Sequence, residues 1–207
     1  MWGALLEKAF AKYWGNYSHT VGGLSFLAIK TFQGGPSFEY DFKNAKLDDA
    51  WNAIVKATKN GDIMSTGTPG ADDTEMNSNG LYYGHAFSLL GGVTLNDGTR
   101  LVKIRNPHGV EAYKGPWGDT SDKWTDALRA EVNQKMGEAS PHVLDVNDAA
   151  FWMPFTDTAA NLGGMAGQMD GFMVNYDVTG WHSDYFLRLD DDGTGTSKST
   201  EWNGTSR

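Results

Sequence analysis

Two apolar, strand-like runs flank a tight-turn signal, and this arrangement constrains the chain more than anything else in it. Gly84-His85-Ala86-Phe87-Ser88-Leu89-Leu90-Gly91 precedes Asn96-Asp97-Gly98, and Leu101-Val102-Lys103-Ile104-Arg105-Asn106 follows it. Asn, Asp and Gly tolerate positive φ, so the runs are expected to fold back as an antiparallel hairpin. In the second run Leu101, Lys103 and Arg105 share one face, and Val102, Ile104 and Asn106 the other. Asn106 therefore ends an apolar face and needs a hydrogen-bond partner. His85, just after a glycine, opens the opposing strand. A turn centred on Asp97 sets Asn106 across from Ser88, three residues away from His85. Bringing the two together requires a bulge or a longer loop.

A His with an Asn at its side is two thirds of a thiol-protease triad, in which Asn orients the imidazole that activates a Cys. The sequence has no Cys. It offers a base and its orienter without a nucleophile, and it excludes disulfides and thiolate metal sites within this chain. The plainer reading of the pair is a His and an Asn that satisfy each other or the backbone at a strand end. His19, His108, His142 and His182 are scattered, with no HExxH or paired spacing, so a zinc site is not expected. Asp190-Asp191-Asp192-Gly193 reads as a hairpin turn, because Arg188 and Ser199 stand where a calcium loop of the EF-hand type needs acids. No P-loop, GxGxxG or GxSxG motif occurs.

The rest of the chain alternates short helices and strands. Trp2 to Tyr13 is an amphipathic helix, with Gly15 and Asn16 stopping it. It begins without a lead-in, as in a chain cut from something longer. Phe38 to Phe42 alternates as a half-buried strand, Leu47 to Lys59 is a second helix ended by Asn60-Gly61, and Ile63 to Thr66 is a short strand. Gly67 to Gly80 is an acidic, Gly/Pro-rich surface loop. Trp124 to Met136 is a further helix, Ala150 to Phe155 a buried strand, and Thr156 a candidate cap for a short helix. Phe172 to Tyr176 and Tyr185 to Leu189 read as strands of a second, β-rich domain. The 26 Gly with 8 Trp, 8 Tyr and 10 Phe favour a β-rich fold with many tight turns.

Lys and Arg number 17 against 26 Asp and Glu, a formal charge of −9. With no basic cluster, nucleic acid is not an expected partner. No apolar run reaches the length of a membrane span. The charged residues Glu7 and Lys8 interrupt any apolar signal-peptide stretch, so an intracellular, cytoplasmic protein is expected.

At these residues the sequence resembles the calpain family of cysteine proteases, in the second half of the protease core. Trp2-Gly3-Ala4-Leu5-Leu6-Glu7-Lys8-Ala9-Phe10-Ala11-Lys12 is similar to the family's "LWxALLEKAYAK" helix. Gly84-His85-Ala86-Phe87-Ser88 resembles "GHAYSV", which carries the catalytic His. Ile104-Arg105-Asn106-Pro107 resembles "RxRNPWG", which carries the catalytic Asn. Phe151-Trp152-Met153-Pro154-Phe155 resembles "EFWMSF". These segments occur in the family's order over residues 2 to about 172.

The resemblance implies a papain-like α+β fold of twisted antiparallel sheets with a few short helices. It implies a His/Asn-bearing subdomain over 1–172, and over 173–207 the truncated start of a following β-sandwich domain. His85 would be the general base and Asn106 its orienter, in an endopeptidase acting on protein or peptide substrates. Trp117 is placed either at the cleft wall or in the core. The Cys-bearing N-terminal subdomain, with its "QGxxGDCWxL"-like motif, is expected upstream as partner.

Two further departures from the family concern the site. The Trp that follows Asn-Pro and shields the His–Asn bond is His108 here. Calcium is the cofactor implied: Asp119 and Asp148 match acidic ligand positions, but Ala112 and Ala150 stand where the family has Glu. A non-catalytic, calpain-like module that binds peptides or partners is the second reading of the same chain.

Overall fold

The computed structural model describes residues 2–110, 112–137, 148–155 and 164–175. The chain divides into two compact units, Met1–Pro36 and Ser37–Asn175. The first carries α1 (Trp2–Tyr13), a 3₁₀ turn (Tyr17–Thr20) and α2 (Ser25–Gln33). Asn16 caps the turn by accepting from the Ser18 N–H at 2.9 Å. Phe10 of α1 meets Phe32 of α2 with ring centroids 5.6 Å apart, and Ala11 is buried. Helix α2 has no counterpart among the helices expected from the sequence. Its apolar run is short, and its N-cap, Leu24, makes no side-chain capping bond. Its one clear signal is Gly34, whose φ of 73° supplies the left-handed residue that ends a helix.

Among the described residues, the second unit is one antiparallel sheet of six strands. They are β1 (Ser37–Asp41), β2 (Ile63–Gly67), β3 (Ala86–Thr94), β4 (Arg100–Arg105), β5 (Ala150–Pro154) and β6 (Gly171–Asn175), in the order β1-β6-β2-β3-β4-β5. Three helices accompany them: α3 (Leu47–Asn60), α4 (Asp126–Met136) and the single turn α5 (Met165–Gln168). The α+β, antiparallel class expected from the sequence is what the chain adopts. Among the described residues no helix is long and apolar enough to cross a membrane.

The expected boundary at 172/173 falls within β6, whose residues 173–175 stay in this unit. They pair with both β1 and β2, Met173 facing Glu39 on one side and Ser65 on the other. Phe172 stacks on Tyr40 with ring centroids 4.8 Å apart. Alternating apolar residues read as a strand correctly, but alternation does not say which sheet a strand joins. The expected helix after Thr156 and the strands and turn of 176–207 lie outside the described residues.

The two faces of the β3–β4–β5 region bury different cores. Gly92 pairs with Val102, which pairs with Met153. Helix α3 packs on this side: a side-chain carbon at Gly92 would stand 2.7 Å from Ile54 and 3.1 Å from Trp51. Thr58 of α3 accepts from the Gly92 N–H at 3.0 Å. On the other face Val93, Leu101 and Trp152 join Trp117, Trp124 and Val132 of α4 in an apolar cluster.

The hairpin turns where the sequence places it. Leu95 and Thr99 close it through a 2.7 Å backbone bond, and Gly98 takes φ 90°. The ladder then shifts register between Leu89 and Gly91, the bulge the spacing required.

Candidate functional site

Continuing the register of Ser88 with Arg105 by one step sets Asn106 across from Phe87. His85 is then a same-face, diagonal neighbour of Asn106, within reach for long side chains. Without the bulge the two would stand on opposite faces. The structure brings them together: His85 Nε2 lies 3.0 Å from Asn106 Oδ1. Both residues are buried, at 7% and 3% exposure.

The backbone holds His85 on both sides. Its N–H donates to Thr68 Oγ1 at 3.0 Å, and its carbonyl accepts from the Thr68 N–H at 3.0 Å. Phe87 sits edge-on beneath the imidazole at 4.6 Å between centroids. Below it Tyr113 stacks on Phe151 at 4.7 Å. Burial pushes the Tyr113 phenol well above its ordinary value, and its hydroxyl donates to the Pro116 carbonyl at 3.1 Å.

The hydrogen bonds fix the tautomer. Asn106 Nδ2 donates to the Val110 carbonyl at 2.9 Å. Asn106 Oδ1 also accepts from the His108 N–H at 3.0 Å. The amide oxygen therefore faces His85, and it can only accept. The proton of a neutral His85 must sit on Nε2, which leaves Nδ1 as the basic nitrogen.

His108 and two residues that sequence reasoning left out of the site, Asp73 and Tyr82, surround that nitrogen. Asp73 Oδ2 lies 3.3 Å from His85 Nδ1 and 3.4 Å from His108 Nε2. The two imidazole centroids are 4.2 Å apart. Tyr82 closes the group, edge-on to His108 at 5.2 Å and tilted against His85 at 5.6 Å. Asp73 belongs to the loop after β2, which is tied back on itself. Gly84 donates to Pro69, and Tyr83 to Glu75. Thr68 Oγ1 donates to the Tyr82 carbonyl at 2.6 Å. Asp72 accepts from the Thr74 hydroxyl and N–H, which hold its carboxyl below the usual value. Gly84 takes φ +55°, and a Cβ there would lie 2.9 Å from the Asp72 nitrogen. The glycine before His85 is thus what lets the Asp73 loop close over the imidazole. Gly84 was the only local signal of that approach.

The remaining expected residues lie elsewhere. Trp117 is in the core, 5.0 Å edge-on from Trp124, and not at the cleft. Asp119 is buried in the loop between Tyr113 and Trp124. Asp148 is exposed, and its Oδ1 accepts from the Ala150 N–H at 2.7 Å. Calcium takes about six to eight oxygen ligands, usually with several carboxylates. Among the described residues, Asp119 and Asp148 belong to no group of three or more acidic or imidazole ligands. With Ala112 and Ala150 at the positions where the family resemblance places acids, these residues do not fit a calcium cage.

The comparisons with known proteins agree on one family. The model of the calpain family cysteine proteases matches residues 1–165. The chain is 34% identical over 164 residues to the calpain-type cysteine protease DEK1 of Arabidopsis thaliana. It is 33% identical over 162 residues to both calpain-9 and the calpain-1 catalytic subunit of Mus musculus. These matches cover about three quarters of this chain, but the chain spans only 7% of the plant protein's length and 22% of each mouse protein's.

Proposed function

The chain belongs to the calpain family of cysteine proteases, and we propose that it supplies the base and orienter of that family's peptide-bond hydrolysis. The observation that carries this reading is the buried 3.0 Å bond between His85 Nε2 and Asn106 Oδ1. It leaves Nδ1 free of a proton and turned toward the Asp73 side. In the proposed reaction, Nδ1 takes the proton of a cysteine thiol held by a separate, Cys-bearing subdomain. The thiolate attacks the scissile carbonyl. The imidazolium then gives its proton to the leaving amine, and in deacylation His85 deprotonates the attacking water. Asn106 keeps the ring in one tautomer and one orientation throughout. The sequence holds no Cys, so by this proposal the chain alone does not cleave peptides.

The test is reconstitution. The purified chain is mixed with a Cys-bearing calpain subdomain, and cleavage of casein is followed with and without a thiol-blocking reagent. Thiol-dependent cleavage that requires this chain and falls by roughly 10²–10⁴-fold in His85→Ala supports the reading. Correct docking with no cleavage, or cleavage indifferent to His85, favours the non-catalytic module.

A further inference from the structure

The geometry points to a transition-metal site of the zinc class made by His85 Nδ1, His108 Nε2 and Asp73 Oδ2. The three ligand atoms lie within 4.8 Å of one another. The Asp73 oxygen stands 3.3 Å from one nitrogen and 3.4 Å from the other. Charge-assisted N–H···O bonds are shorter, about 2.7–2.9 Å. The observed values instead match a tetrahedron's edge: with metal–ligand bonds of about 2.0–2.2 Å, neighbouring ligand atoms stand roughly 3.3–3.5 Å apart.

The hydrogen bonding makes the same point independently. Asn106 forces the proton of a neutral His85 onto Nε2, so Nδ1 presents a lone pair directly to a carboxylate oxygen. With His85 neutral, two acceptors face each other at that distance, and either a proton on Nδ1 or a cation between them satisfies both. His85 also has the support that metal-bound imidazoles show, its second nitrogen donating to a fixed oxygen. Two imidazole nitrogens and one carboxylate suit zinc and its neighbours, while calcium and magnesium take oxygen ligands. His85 is buried, but Asp73 and His108 have side chains 46% and 42% exposed, so an ion can enter from solvent. Three protein ligands leave the fourth position open.

One consequence rests on the proposed role of His85. Nδ1 is the atom that would accept the thiol proton, so a metal there removes the base. The open position would then take the thiolate itself. Zinc would hold the protease inactive, through the residue that replaces the family's Trp.

The 207-residue chain is titrated with Zn²⁺ by calorimetry and with Co²⁺ by absorption. The expected result is one ion per chain, with the intense visible bands of four-coordinate cobalt. Loss of the supporting bond in Asn106→Ala should weaken zinc roughly 10- to 100-fold, and His108→Ala or Asp73→Asn should weaken it further. His19→Ala should change nothing. Uptake without saturation at one ion, or uptake that His108→Ala and Asp73→Asn both leave unchanged, overturns the site. In the reconstituted enzyme, zinc should inhibit the parent and spare His108→Ala. Equal inhibition of both overturns the regulatory consequence. Zinc binding in a mixture that never cleaves casein removes the catalytic role and leaves the metal site standing.

Discussion

His85 and Asn106 reach one face of the sheet because the β3–β4 ladder skips a residue at Leu90. Above the bulge Gly91 pairs with Lys103; below it Leu89 pairs with Ile104. The slip also keeps Leu89 on the side of Gly92, where the apolar face continues. Deleting Leu90 should remove the slip and turn His85 away from Asn106. We expect folded protein by circular dichroism and a loss of at least about 10²-fold in reconstituted cleavage, the scale of a misplaced catalytic group. A deletion variant that cleaves like the parent would show that the bulge does not set the pair.

Asn106 makes three side-chain hydrogen bonds, to His85, His108 and Val110. Asn106→Ala strands the His108 N–H and the Val110 carbonyl as well as freeing the imidazole. Each group left unpaired in a buried site costs about 1–3 kcal/mol. Exposure of Val110 places this variant at the low end. Denaturant unfolding should show the loss, and cleavage should fall through kcat with little change in KM, because the amide acts on the base and not on substrate. An effect on KM alone would assign Asn106 to binding.

The hairpin, the strand Ile63–Gly67 and helix α3 were legible because local chemistry and tertiary structure agree there. Asp97 Oδ1 accepts from the Thr99 N–H at 2.8 Å inside the turn, and Gly61 caps α3 with φ 74°. The need for a bulge was also legible, from spacing alone. Its place was not, because Gly91-Gly92 accommodates Thr58, Ile54 and Trp51 of a helix distant in sequence. Asp73 and Tyr82 escaped for the same reason. Nothing near Asp73 in the chain marks it as a neighbour of His85; the loop is drawn in by Thr68 and by Gln168, whose Oε1 accepts from Asn79 at 3.0 Å. The paired strand runs singled out His85 and Asn106, the family motifs gave them roles, and His108 stood out only as a departure from those motifs.

Gly92 offers a stability test away from the site. A methyl there meets Ile54 and Trp51, both buried. Neither can give way without moving α3. Gly92→Ala should cost about 1–3 kcal/mol through overpacking, read as a lower midpoint in denaturant with an unchanged slope. An unchanged midpoint would mean that α3 shifts freely on the sheet.

Tyr113 carries a pH signature. Burial raises its folded value above that of an unfolded tyrosine, about 10. The neutral phenol is favoured in the folded state, so its contribution is full below that value. Above it the unfolded chain ionises while the folded one does not, and stability falls as pH rises toward the folded value. Tyr113→Phe should lose the bond to Pro116, about 1 kcal/mol near neutrality, and should show a shallower decline between about pH 10 and 11. Parallel declines would place Tyr113 outside the linkage.

His108 decides between two uses of the same site. Its ring lies 4.2 Å from His85 and is edge-on to Tyr82, where the family resemblance places an indole. An indole has no lone pair for a metal and covers more surface. Over the His85–Asn106 bond it should exclude water better, and a drier hydrogen bond is stronger. His108 is 42% exposed, so a larger ring has room to extend outward. We expect His108→Trp in the reconstituted enzyme to raise kcat/KM in metal-free buffer, and to leave cleavage insensitive to zinc. Both are read from initial rates with a chelator present and then with zinc in excess. A Trp variant that loses activity without a chelator effect would show that Asp73, His108 and Tyr82 form a rearranged cleft, and that the imidazole is not a weakened shield.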